Sequence, residues 1–140
     1  MAGESILVVE DNDKNLKLVR DLLQLRGYRV LEARTAEQGL RLAADGIPDL
    51  ILMDIQLPDL DGVTALKRLR ADPATATVHV VALTAFAMKE DRERFLAAGF
   101  DGYLPKPIDI RALPDQVRLF LERSRQTPPA ASVAMHVADT

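Results

Sequence analysis

The chain of 140 residues contains no cysteine, which excludes a disulfide framework and a metal site built from thiolates. It also has no excess of positive charge, because 18 lysines and arginines stand against 21 aspartates and glutamates. Nucleic-acid-binding domains of this size are usually basic, so we expect no DNA or RNA partner. No apolar run approaches the length that crosses a bilayer, and the first five residues do not resemble a secretory signal. We therefore expect a cytoplasmic protein with no membrane partner.

The sequence alternates short apolar runs with helical patterns. Three runs, at residues 6–9, 50–53 and 78–83, are nearly continuous, which is typical of strands buried on both faces of a parallel sheet. Residues 28–33 predict a strand at an edge of the sheet, and residues 102–104 predict a short fifth strand. A helical pattern follows each strand. Right-handed crossovers then give an α/β fold with a doubly wound, five-stranded parallel sheet and five helices on its two faces.

Local signals predict the ends and faces of several helices. Thr35 and Gln38 match a capping box, in which each side chain satisfies the other's exposed backbone N–H group. Proline is tolerated at the first helical position, so we predict that the last helix begins at Pro114 and ends near Arg123. The apolar spacing places Phe95 and Leu96 on the inward face of the fourth helical pattern. On the inward face of the last pattern it places Ile110, Leu113, Val117, Phe120 and Leu121.

The segment after the last helix differs in composition. Residues 124–140 contain two adjacent prolines and four alanines, without a strong periodicity. We predict one domain over residues 1–123, followed by a flexible C-terminal tail. The alternative is that Val133, Met135 and Val137 pack against a partner or against the body of the protein.

Polar residues stand where the apolar runs end. Glu10 and Asp11 follow the first run, Asp54 the third strand and Thr84 the fourth, while Lys106 follows the fifth. In open α/β sheets the ligand site lies at the carboxyl ends of the strands, and parallel strands bring these ends to one edge. The sequence therefore predicts that these five residues meet in one cleft.

The charges of this predicted cleft indicate its chemistry. Three carboxylates repel one another unless positive charge lies among them. Mg²⁺ suits one or two carboxylates together with water and phosphate oxygens, and lysine binds phosphate as a point charge. A carboxylate nucleophile, a cation, a lysine and a hydroxyl group form a set suited to phosphoryl transfer, where positioning and charge neutralisation provide most of the catalysis.

Four motifs in this order resemble those of response-regulator receiver domains, over residues 5–123. The motifs are Val9-Glu10-Asp11-Asn12, Leu52-Met53-Asp54-Ile55-Gln56-Leu57-Pro58 with Asp61-Gly62, Ala82-Leu83-Thr84-Ala85, and Gly99-Phe100-Asp101-Gly102-Tyr103-Leu104-Pro105-Lys106-Pro107. Each motif alone is weak, but the ordered set is specific. The similarity is greatest to stand-alone receivers of the DivK kind.

The resemblance implies a fold and a function. The fold would be flavodoxin-like, with strand order 2-1-3-4-5. The protein would be a single-domain response regulator of a two-component system or phosphorelay. It would accept a phosphoryl group from a sensor histidine kinase or a histidine phosphotransfer protein, and pass the signal to a downstream protein target. It would be a switch that assists its own phosphotransfer and dephosphorylation, rather than an enzyme with a separate substrate.

The resemblance also implies a role for each site residue. Asp54 would be the phosphoacceptor, assisted by Thr84 and Lys106. Asp11, Asp54 and the backbone carbonyl of Gln56 would bind Mg²⁺, and Glu10, which stands where many members have aspartate, would contact it through water. Thr84 and Tyr103 would form the switch. The Lys106–Pro107 peptide bond would be cis.

Three other functions fit the sequence less well. A haloacid-dehalogenase-type hydrolase would carry a D-x-D-x-T pattern after its first strand, whereas Asp54-Ile55-Gln56 follows the third strand and lacks the second acid. A nucleotide- or flavin-binding fold would need a glycine-rich loop after a strand, and none is present. A receiver-like module without phosphotransfer would not need the full set of acids, threonine and lysine.

Overall fold

The computed structural model describes residues 3–85 and 88–126, and within these residues five strands form one parallel sheet. The strands are β1 (Ser5–Val9), β2 (Arg29–Ala33), β3 (Leu50–Asp54), β4 (Val80–Thr84) and β5 (Gly102–Pro105). Their order in the sheet is β2-β1-β3-β4-β5, so β2 and β5 are the edges. The predicted doubly wound sheet and its strand order are confirmed.

Helices alternate with the strands along the chain. They are α1 (Asp13–Leu25), α2 (Ala36–Gly46), α3 (Gly62–Ala71), α4 (Lys89–Ala98) and α5 (Leu113–Gln126). Among the helices of the described residues, none combines the length and the apolar character that a membrane span requires.

The sheet separates two apolar layers because successive side chains of a strand point to opposite faces. Leu7 and Val9 of β1 pack on one face with residues of α2, α3 and α4. Ile6 and Val8 pack on the other face with residues of α1 and α5. Burial on both faces explains why the central strands are continuous apolar runs.

Side chains cap the first turns of three helices. The side chains of Asn12, Thr35 and Asp61 accept hydrogen bonds from backbone N–H groups at the start of α1, α2 and α3. The predicted capping box is half correct. Thr35 Oγ1 accepts from the N–H of Gln38 at 3.1 Å, but Gln38 Oε1 accepts from the N–H of Arg34 at 3.0 Å, one residue before the predicted donor.

Two residues predicted to face inward lie at the surface. Leu96 is 48% exposed, whereas its neighbour Phe95 is buried. Consecutive helical residues point about 100° apart, so the burial of Phe95 directs Leu96 toward the surface. Ile110 is 52% exposed because it precedes α5, so the helical spacing does not apply to it.

The last helix is longer than predicted. It begins at Leu113, one residue before Pro114, and continues to Gln126, three residues beyond Arg123. The first three residues of the predicted tail are therefore helical. The rest of the tail, residues 127–140, lies outside the described residues, and so do the alternative contacts of Val133, Met135 and Val137.

At the opposite, amino-terminal end of the sheet, a partly buried ion pair joins α3 to the loops that precede β4 and β5. Arg70 of α3 contacts the carboxylate of Asp101 at 3.0 Å and donates to the carbonyl of Val78 at 2.6 Å. The same carboxylate accepts from the N–H of Val80 at 2.9 Å, and His79 Nδ1 lies 4.0 Å from its other oxygen. These contacts fix the starts of β4 and β5 together.

The close packing of α2 on β1 can be tested by replacing two glycines of α2. A Cβ atom at Gly39 would lie 2.8 Å from Cγ2 of Val9, whereas one at Gly46 in the same helix would lie 3.6 Å from Leu31. Gly39→Ala should lower the free energy of unfolding by ~1–2 kcal/mol, because overpacking outweighs the gain in helix propensity. Gly46→Ala should raise it by up to ~1 kcal/mol. Urea unfolding measures both, and a gain of stability in Gly39→Ala would contradict the packing.

Candidate functional site

Polar residues meet at the carboxyl edge of the sheet. Asp54 and Thr84 are the last residues of β3 and β4, Glu10 and Asp11 directly follow β1, and Lys106 directly follows β5. The parallel register brings these strand ends side by side, since Asp54 pairs with Leu83 and Thr84 with Pro105. The structure therefore brings together the five residues that the sequence places at strand ends.

Three carboxylates form a compact acidic cluster in this cleft. One carboxylate oxygen from each of Glu10, Asp11 and Asp54 lies within 4.8 Å of the others. Glu10 is 1% exposed and Asp54 is 4% exposed, whereas Asp11 lies at the mouth of the cleft and is exposed to solvent. Such a cluster offers oxygen ligands to a hard divalent cation.

Lys106 provides positive charge inside the cluster. Its ammonium group lies 2.9 Å from Oδ2 of Asp54 and 2.8 Å from Oε2 of Glu10. Burial by itself lowers the pKa of Lys106, but the close contacts with the carboxylates of Glu10 and Asp54 outweigh it, and the net pKa is raised. Lys106 is therefore a fixed cation at neutral pH that bridges the two buried carboxylates.

The surroundings of Glu10 disfavour the charged form of its carboxyl group. Burial raises its pKa above the ordinary value, and the nearby Asp54 raises it further. The ion pair with Lys106 and a hydrogen bond of 3.1 Å from the N–H of Asn12 oppose this shift without cancelling it. By count of charges, three carboxylates face one lysine, so Lys106 does not fully compensate the negative charge of the cluster.

The loop after β3 holds Asp54 in place. Oδ1 of Asp54 accepts a hydrogen bond of 2.9 Å from the N–H of Gln56, whose side chain is exposed. The loop is also packed against the start of α3, because the N–H of Gly62 donates to the carbonyl of Ile55 at 2.7 Å. A Cβ atom at Gly62 would lie 2.9 Å from Cα of Ile55, so a larger residue would displace the loop.

The remaining predicted residues lie around the acidic cluster. Thr84 is buried, and its carbonyl accepts from the N–H of Lys106 at 2.8 Å. The Lys106–Pro107 peptide bond is cis. Tyr103 lies outside the cluster, half-buried on β5, and its hydroxyl accepts a hydrogen bond of 3.0 Å from Arg92. The contact of Arg92 with Tyr103 was not predicted from the sequence, because no motif or spacing around Arg92 indicates it.

Asp59, in the loop after β3, has a different role from the acids of the cleft. The carboxylate of Asp59 accepts from the N–H groups of Ala36 and Glu37 at 2.9 Å each, so it caps the first turn of α2. These backbone hydrogen bonds lower the pKa of Asp59. Asp59 is therefore a natural control for the acids of the cleft.

Comparisons with solved structures give the same architecture. The receiver domain of a sensor histidine kinase from Pseudomonas aeruginosa PAO1, whose active-site cleft coordinates a magnesium ion, is similar at 39% identity and a TM-score of 0.78, over 86% of this chain and 99% of that one. A CheY-like response regulator receiver domain protein from Methanospirillum hungatei is similar at 29% identity and a TM-score of 0.80, over 89% and 98% of the two chains.

Sequence comparisons extend over most of the chain. The polar-differentiation response regulators DivK of Brucella ovis and Brucella anthropi are each 42% identical over 118 residues, which is 84% of this chain and 96% of each relative. The family model described as the response regulator receiver domain matches residues 6–118. Together with the strand order and the residues at the strand ends, these matches show that the chain belongs to the response regulator receiver domain family.

Proposed function

We propose that Asp54 is the phosphoacceptor of a signalling switch in a two-component system or phosphorelay. One observation carries the proposal: a buried aspartate ends the central strand, held by Lys106 on one oxygen and by the N–H of Gln56 on the other. This carboxylate is positioned, and its neighbours can neutralise the charge that a phosphoryl group adds.

The proposed reaction is an in-line displacement at phosphorus. A carboxylate oxygen of Asp54 attacks a partner's phosphohistidine, the phosphorus–nitrogen bond breaks, and the imidazole leaves with the electron pair. The product is an acyl phosphate on Asp54. The ammonium group of Lys106 would shift to contact the new phosphoryl oxygens, and the hydroxyl of Thr84 would donate a hydrogen bond to them. Later attack by water on the phosphorus would break its bond to the Asp54 oxygen, release inorganic phosphate and return Asp54 to the free carboxylate, so dephosphorylation would take place at the same site.

The acidic cluster fits a magnesium ion, because three carboxylates face one lysine and the donor atoms are all oxygen. Asp11, Asp54 and the backbone carbonyl of Gln56 would hold the ion, and Glu10 would contact it through water. When bound, Mg²⁺ supplies positive charge to the phosphoryl oxygens as the group is transferred.

The proposed partners follow from the chemistry. A sensor histidine kinase or a histidine phosphotransfer protein would donate the phosphoryl group, and a downstream protein would bind the switched surface. That surface comprises α4, β5 and α5, which surround Tyr103. Movement of the Thr84 hydroxyl toward the phosphoryl group would open space for the Tyr103 ring. The predicted cytoplasmic localisation is part of this proposal.

The phosphoacceptor is tested by labelling. Incubation with a small-molecule phosphodonor and Mg²⁺ should add one phosphoryl group to the wild-type protein, measured as intact mass. Asp54→Asn should abolish the addition, because an amide is not a nucleophile of this kind. Asp59→Asn, in the loop that follows β3, should be labelled like the wild type. Unchanged labelling of Asp54→Asn would refute the assignment.

The metal site is tested by calorimetry. Asp11→Asn should weaken Mg²⁺ binding at least tenfold, because it removes a ligand, and should leave the metal-free free energy of unfolding unchanged or higher, since it relieves repulsion. Asp13→Asn is the control, because Asp13 is exposed and pairs with Arg34. Equal Mg²⁺ affinity in the two variants would argue against Asp11 as a ligand.

The relay from Thr84 is tested with a kinase-derived or target protein that binds the switched surface. Beryllofluoride, a phosphoryl mimic, with Mg²⁺ should tighten binding to the wild type. Thr84→Ala should still be phosphorylated on Asp54 but should lose most of this gain, because the hydroxyl that senses the phosphoryl group is absent. If both proteins gain affinity equally, Thr84 is not the relay.

A further inference from the structure

Arg92 of α4 makes two contacts with the ring of Tyr103. Its guanidinium group donates a hydrogen bond of 3.0 Å to the hydroxyl, and the guanidinium carbon lies 5.7 Å from the ring centroid. The first is a charge-assisted hydrogen bond and the second a cation–π contact. Both are made at the half-buried position of Tyr103 on the edge strand, with the hydroxyl at the protein surface.

The register of the sheet indicates a second position for the Tyr103 ring, directed toward Thr84. Tyr103 pairs with Ala82, and Thr84 lies two residues further along β4. Residues two apart in a strand share a face, so Tyr103, Ala82 and Thr84 point to the same side of the sheet. The small side chain of Ala82 does not separate the ring from Thr84. A ring that turns toward Thr84 must withdraw its hydroxyl from Arg92.

The first half of α4 is weakly attached to the rest of the domain. Met88, its N-cap residue, provides no side-chain hydrogen bond, and the buried residue of the helix, Phe95, lies in the second half. Lys89, Glu90 and Arg92 are exposed. The contact between Arg92 and Tyr103 therefore ties this half of α4 to β5, and the position of the ring becomes coupled to the position of the helix.

We propose that Arg92 is a positioning residue that holds the Tyr103 ring at the surface and the first half of α4 against β5, and so favours the unphosphorylated state. The inference rests on the proposed switch role of Tyr103. Each of the two contacts contributes modestly at an exposed site, and together they shift the equilibrium between outward and inward rings by about 5–10-fold. An inward population of a few per cent would then rise to tens of per cent when Arg92 is removed.

The test observes the ring directly. The chain has two tyrosines, so labelling with 3-fluorotyrosine gives two ¹⁹F resonances, and Tyr28→Phe assigns the one from Tyr103. Accessibility of the Tyr103 fluorine to a soluble paramagnetic reagent is measured without a phosphodonor. Arg92→Ala should make this fluorine less accessible, as the inward population rises. Arg94→Ala is the matched control, because Arg94 lies on the same helix but contacts Phe95 and Asp91.

A second measurement separates this inference from the proposed function. With a small-molecule phosphodonor and Mg²⁺, Arg92→Ala should be phosphorylated several-fold faster than the wild type and Arg94→Ala at the wild-type rate. Unchanged or higher accessibility of the Tyr103 fluorine in Arg92→Ala would overturn the role of Arg92. A wild-type protein that takes up no phosphoryl group would instead refute the proposed function, whatever the ring does.

Discussion

Three carboxylates and one lysine share the cleft, two of these carboxylates are buried, and this imbalance of charge is the constraint on which the proposed function depends. Lys106 bridges Glu10 and Asp54, yet the pKa of Glu10 stays raised because burial and the neighbouring carboxylate outweigh the lysine. A cleft with this excess of negative charge is stabilised when it binds a cation. In the proposed reaction, the cleft would take up the further negative charge of a phosphoryl group, which a bound cation would offset.

The sheet is what makes such a cleft possible. Its central strands are buried on both faces, so a polar side chain is tolerated only where a strand ends. Parallel pairing brings those ends to one edge, and close contacts keep them there. Gly62 lets the start of α3 approach the loop after Asp54, and Gly39 lets α2 lie directly on Val9, next to Glu10. The chemistry of the site thus depends on packing in the layers on either side of it.

Sequence reasoning predicted this part of the molecule well, because it depends on patterns that are local. Continuous apolar runs identified the buried strands, and the residue that ended each run identified the cleft. It failed where neighbours distant in sequence decide the outcome. The apolar spacing could not distinguish the buried Phe95 from the exposed Leu96. It also assigned Ile110 to the inward face of the last helix, although Ile110 is exposed. The pairs Arg70–Asp101 and Arg92–Tyr103 join residues 31 and 11 positions apart, and no local pattern announces either contact.

The cleft carries negative charge that the protein itself does not compensate. Thermal unfolding of the wild-type protein, in millimolar MgCl₂ and in NaCl at the same ionic strength, tests this property most directly. Specific binding to the folded state should raise the melting temperature in MgCl₂ by several degrees, through the mass-action gain in stability. Melting temperatures that are equal in the two salts would contradict the account, because they would mean that the folded cleft has no preference for a divalent cation.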